Sequence, residues 1–87
     1  MTRDGFDHRA SLSVRYASER RARLVADAVA VEQGEIDDAR SSARIDRDGR
    51  ELSVDVLAAD LVALRAGLNT WRGLVEVAER VCDVGGE

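Results

Sequence analysis

The chain has 87 residues, enough for one domain and one core, and a domain of this size buries only about 60–65% of its extended surface. All thirteen basic residues are arginine against seventeen acids, a net charge of −4, which excludes a generic basic nucleic-acid module. One cysteine, Cys82, excludes an intrachain disulfide and a cysteine-based zinc site, and no run of about 18 apolar residues spans a membrane.

The opening residues 1–7 are polar, contain Gly5 and lack the apolar stretch of a signal peptide, so they are expected to form a flexible arm on a cytoplasmic protein. "HRASLSVRYA" alternates: Ala10, Leu12, Val14 and Tyr16 point one way, and Arg9, Ser11, Ser13 and Arg15 the other. Period two predicts a half-buried strand. Ser18 is a predicted N-cap for the helix "ERRARLVADAVAVEQ", with Gly34 as its stop. "EIDDARS" reads as an acidic loop. "SSARIDRDGRELSVDVLA" reads as two strands around Asp48-Gly49, with Leu52, Val54, Val56 and Ala58 facing the core. Asp60 caps a last helix that is expected to run to Cys82, leaving a folded core over 8–82 and a frayed tail over 83–87.

The order β-α-β-β-α fixes an α+β topology. Alternating directions require an all-antiparallel three-stranded sheet with the third, most apolar strand in the middle, order 2-3-1, and both helices on one face.

Both helices carry more apolar surface than one packing contact needs. In the last helix Leu61, Leu64, Leu68, Trp71, Val75, Ala78 and Cys82 form a 3-4 stripe. Leu74, Val77 and Val81, with Ala63, Ala66, Gly67 and Thr70, widen it to an arc of roughly 200°. In the first helix Ala22, Val25, Ala26 and Val29 form the core stripe, and Leu24, Ala28 and Val31 form a second one. A second stripe can pack on the neighbouring helix, face water or meet another chain. Single exposed apolar residues are ordinary, whereas a contiguous patch marks a partner. The candidate partner interface is therefore Leu24, Ala28, Val31, Gly67, Leu74, Val77 and Val81, with Gly67 as a point where another backbone could come close.

Catalytic chemistry finds no support. His8 is the only histidine and stands at the start of a strand, Cys82 falls on a core stripe, and the acid pairs Asp37–Asp38 and Glu76–Glu79 read as a loop and a solvated helix face. No phosphate loop, metal-ligand set or cofactor motif is present, so no cofactor is expected. Arginine is the more suggestive residue. Arg20, Arg21 and Arg23 open the first helix, and Arg65, Asn69 and Arg72 share the narrow polar strip of the second, where guanidinium forks match phosphate oxygens. On these arginines alone, a stand-alone small RNA-binding domain is the alternative.

The strand "ASLSVRYAS" followed at once by "ERRARLVADAV", then "RDGRELSVDVLAADLVALRAGLNTWRGLVEVAERV", resembles the CTAG/PCC family, the small dimerisation subunits of the KEOPS complex. The most specific segment is "ADLVALRAGLNTW", and the resemblance covers about residues 9–81. The lysine-free, acidic composition fits a high-GC or salt-adapted host, and the resemblance implies an archaeal member of haloarchaeal type. The resemblance implies a three-stranded antiparallel sheet with two helices on one face. It also implies a non-catalytic subunit that supports threonylcarbamoyl modification of adenosine 37 (tRNA numbering). Such subunits pair with themselves or a paralogue, bundle their helices with N-terminal helices of the threonylcarbamoyltransferase subunit, and in archaeal complexes help hold tRNA. Arg65 and Asn69 match the family's Leu-Arg-Ala-x-Leu-Asn segment and Arg72 follows its aromatic, which makes these three the implied polar contacts.

Overall fold

The structure, a computed structural model, describes residues 6–33 and 40–84, with the backbone alone for Val84. Its elements are β1 (His8–Arg15), α1 (Glu19–Ala30), β2 (Ser41–Asp48), β3 (Glu51–Ala58) and α2 (Leu61–Val84). The strands form one antiparallel sheet in the order β1-β3-β2, the topology expected from the sequence. Gly34, the expected stop of the first helix, lies outside the described residues, as do most of the arm and the end of the tail.

Local chemistry sets most boundaries. Ser18 is extended (φ −144°) and its Oγ accepts from the Arg21 N–H at 3.0 Å, which starts α1. Asp60 caps α2 in the same way, accepting from the Ala63 N–H at 2.8 Å. Between β2 and β3 the chain reverses over Gly49 and Arg50, one residue later than "Asp48-Gly49" suggested. Gly49 sits at φ +62°, where a side chain would be strained. The helix expected to reach Gln33 stops at Ala30. Glu32 and Gln33 donate to the carbonyls three residues back, and the Gln33 side chain donates to the Ala43 carbonyl of β2 at 3.1 Å. A tertiary hydrogen bond has won over helix propensity there. At the other end α2 continues two residues past Cys82, into the stretch read as tail.

All four inward residues of β3 (Leu52, Val54, Val56, Ala58) are buried, and so are Ala22, Val25, Ala26 and Val29 of α1. From α2 the core takes Trp71, Val75 and Ala78, while Leu64, Leu68 and Cys82 pack half-buried at its margin. α2 lies over β1 and β3, and α1 over β2 and β3. Leu61, first of the expected core stripe, is instead 64% exposed. It stands at the first position of α2, directly after the Asp60 cap.

Gly67 is buried, and a Cβ on it would lie 2.9 Å from Val56 Cγ1. The glycine thus admits α2 close to β3 of its own chain. That close approach of backbone is intramolecular. Gly73, by contrast, has open space where a Cβ would stand.

Gly67→Ala should destabilise the fold by about 1–3 kcal/mol in urea unfolding, because overpacking outweighs the better helix propensity of alanine. Gly73→Ala should stabilise it by roughly 0.5–1 kcal/mol, and shifts of the same sign for both variants would contradict this packing. The Ala63 N–H, and after it Arg40, hold the Asp60 carboxyl below the usual carboxylate range. A carboxylate whose folded pKa is depressed stabilises above its unfolded pKa, and that contribution is lost as pH falls through the folded value. The melting-temperature gap between wild type and Asp60→Asn should therefore be largest near neutral pH and close as the solution is acidified below the ordinary carboxylate range; a pH-independent gap would contradict it.

Candidate interaction surface

An apolar groove of about 190 Å³ runs between α1 and α2, lined by Ala28, Val29, Glu32, Leu74, Val77, Ala78 and Val81. Four of the residues singled out from the sequence, Ala28, Leu74, Val77 and Val81, come together in it. Val77 and Val81 are 51% and 61% exposed, Ala28 is exposed, and Leu74 is half-buried and reaches the core. Leu24 lies one turn before Ala28 on the same flank of α1 and is half-buried. Val31 is the C-cap residue of α1 and the second most exposed large apolar residue described. The groove exists because each helix turns one stripe to the sheet, and its second stripe then borders the cleft between helices without filling it.

α1, with 12 residues, is about 18 Å long, half the length of α2. It therefore leaves the N-terminal half of the α2 flank without a helical neighbour. A second depression of about 250 Å³ lies there, lined by Arg40, Ser41, Val62, Ala63, Ala66, Gly67 and Thr70. Arg40 pairs with Asp60 at its edge. Leu61 and Val62, both largely exposed, extend the apolar surface toward the start of α2.

Arg65, Asn69 and Arg72 are all exposed and follow one another at i, i+4 and i+7, so they form a single polar strip on α2. Arg72 and Val77 stand five residues apart, roughly 140° around the helix, so strip and groove occupy different faces. A partner helix in the groove would leave the strip open.

The arginine cluster at the start of α1 does not present all its members outward. Arg21 pairs with Asp83 at 2.7 Å, donates to the Glu79 carbonyl at 3.5 Å and lies 5.9 Å from the Tyr16 ring centroid. Tyr16, buried at the end of β1, donates its hydroxyl to Glu79 at 2.6 Å. Burial first, then the hydrogen bond and charge of Glu79, push the Tyr16 phenol well above its ordinary value and keep it neutral. Arg21 is thus a clamp on the C-terminal end of α2, and Glu79, read as part of a solvated face, is a tertiary acceptor. Sequence reasoning missed both because the partners are 58 or more residues apart. Ion pairs among the described residues join different parts of the chain, among them Arg9–Asp55, Arg21–Asp83, Arg40–Asp60 and Arg47–Glu19.

The sheet face away from the helices is rich in serine and charge apart from Leu57. Asp55 there accepts from Ser11 and pairs with Arg9 at 3.5 Å. His8 is half-buried on the inner side of β1 and Cys82 is half-buried beside the core. Among the described residues no group of three His, Cys, Asp or Glu could hold a metal ion, and no helix is long and apolar enough to cross a membrane.

No curated protein matches the chain. Among solved structures, a chain in the crystal structure of the binary Gon7–Pcc1 complex is similar to it with a TM-score of 0.77 at 19% identity, over 91% of this chain and 96% of that one. At that identity the likeness shows a shared fold. The profile of the Pcc1 family, described as transcription factor Pcc1, matches residues 9–83, nearly the whole described structure. The chain therefore belongs to the Pcc1 family, the one that its strand, helix and Leu-Arg-Ala-x-Leu-Asn segments resemble.

Proposed function

We infer that this chain is a non-catalytic assembly subunit of the KEOPS complex, acting in the cytoplasm in support of threonylcarbamoyl modification of tRNA. It pairs with a second copy or a paralogue, and it seats N-terminal helices of the threonylcarbamoyltransferase subunit on α1 and α2. The observation that carries this reading is the groove in which Ala28, Leu74, Val77 and Val81 meet, an apolar surface built by two helices and left open in the single chain. Contiguous apolar surface of this kind on a small domain is characteristic of an interaction site. Family membership directs it to KEOPS, and a structural relative that was crystallised with a second protein, in a Gon7–Pcc1 complex, supports a protein partner.

The strip of Arg65, Asn69 and Arg72 is the surface we assign to tRNA within the assembled complex. The stand-alone RNA-binding alternative is weakened by the net charge of −4 and by the use of Arg21 as an internal clamp.

Val77→Asp and Val81→Asp place a charge on exposed groove positions, so both variants should keep the wild-type circular dichroism spectrum. Each should lower affinity for the transferase subunit by at least about tenfold, the loss expected of a central interface residue. Folded variants that still co-purify with the transferase at wild-type yield would show that the groove is not the interface. Arg65→Glu with Arg72→Glu should leave transferase binding intact and weaken tRNA binding by the complex, most visibly at low salt. Unchanged tRNA affinity would remove the strip from the proposal.

A further inference from the structure

One carboxylate interrupts the apolar lining of the groove between α1 and α2. Glu32 is the charged residue that lines it, and every other lining residue is apolar. Glu32 follows the end of α1, and its backbone N–H donates to the Val29 carbonyl at 3.0 Å, which holds it against the helix end. The Arg21–Asp83 pair sets the start of α1 against the end of α2, so Glu32 belongs to the opposite end of the groove, toward Leu74. The residue is half-buried. Among the described residues its carboxylate makes no ion pair and no hydrogen bond. The last turn of α1 holds no basic residue to offset it, and the helix dipole adds negative potential there. Water satisfies such a carboxylate while the groove is open. A helix laid over Leu74 and Val77 would displace that water, and an ionised carboxylate left unpaired in an apolar seat is strongly destabilising.

We propose that Glu32 is the specificity-determining residue of the groove, and that the occupant is an amphipathic helix carrying an arginine that ends on the Glu32 carboxylate. The proposal rests on reading the groove as a seat for partner helices and adds the one side chain that the occupant must supply. Apolar burial along Leu74, Val77 and Val81 gives affinity without choosing among aliphatic helices, because small side chains fit a sliding helix almost equally well. A guanidinium does choose. Its planar fork matches both carboxylate oxygens, and it is more weakly hydrated than an ammonium, so it follows Glu32 into a drying seat more readily. A helix with a neutral or acidic residue at that position leaves Glu32 unpaired and is rejected. A single polar contact at one end of the groove also fixes the direction and register of the bound helix.

The test uses the full chain and two synthetic helical peptides of about 18 residues with the same Leu/Ala stripe and Gln elsewhere. One has a single Arg just beyond the stripe at one end, and the other has Gln there. Affinities are measured for wild type, for Glu32→Gln, and for Asp27→Asn and Glu76→Gln, two controls that remove exposed acids outside the groove lining. The Arg peptide should bind wild type about five- to tenfold tighter than the Gln peptide. That preference should vanish in Glu32→Gln and persist in both controls. Equal affinity of the two peptides for wild type overturns the assignment of Glu32 while leaving the groove as a helix seat. A preference that survives Glu32→Gln, or that falls as far in a control, does the same. Binding of neither peptide to wild type at about 1 mM overturns the groove reading and the selection with it.

Discussion

The contact between α2 and β3 at Gly67 and Val56 governs the arrangement of every other surface. With no Cβ at residue 67 the helix axis settles close to the central strand, and the large Trp71 side chain one turn later can be buried completely. Because β3 is central and wholly apolar on its inner side, α2 is anchored over the middle of the sheet and covers β1 as well. α1 must then take the remaining width over β2, and the cleft between the helices lies where each turns its second apolar stripe.

Unequal helix lengths leave this packing incomplete on one side. Twelve residues of α1 cannot flank twenty-four of α2, so half of one α2 flank has no helical neighbour within the chain. A small domain gains by completing such a layer with helices from elsewhere, since its own core is limited by its size. The clamp formed by Tyr16, Arg21, Glu79 and Asp83 holds the far end of α2 in place, which keeps Val77 and Val81 at a fixed distance from Ala28. A groove held in this way is preorganised, and a partner helix seated in it, as proposed, would be spared the cost of ordering it.

Much of this was legible in the residues, for reasons that are local. Alternation in "RASLSVRYA" and "ELSVDVLA", the glycine turn before Arg50, and the caps Ser18 and Asp60 each fix structure within a few positions, and strand directions then leave one sheet order. The groove residues were legible as a second helical stripe, although periodicity alone could not say whether that stripe was filled. What escaped was non-local. Gly67 stands on the wheel between the core stripe and its flank, so only the approach of Val56 decides which side it serves. Leu61 follows the stripe and is nonetheless exposed, at the first position of α2. Gln33 leaves a favourable helical pattern for a carbonyl on β2, and Arg21 turns from a surface cluster to a carboxylate on the last turn of α2.

On the proposed reading, the α1–α2 groove is where this chain meets its transferase partner. Hydrogen–deuterium exchange of the chain, alone and bound to the threonylcarbamoyltransferase subunit of KEOPS, tests it most directly. Exchange should slow on complex formation in the segments 24–33 and 70–84, with strands β1 and β3 unchanged. Protection confined to the sheet, with both helices exchanging as they do in the free chain, would contradict it.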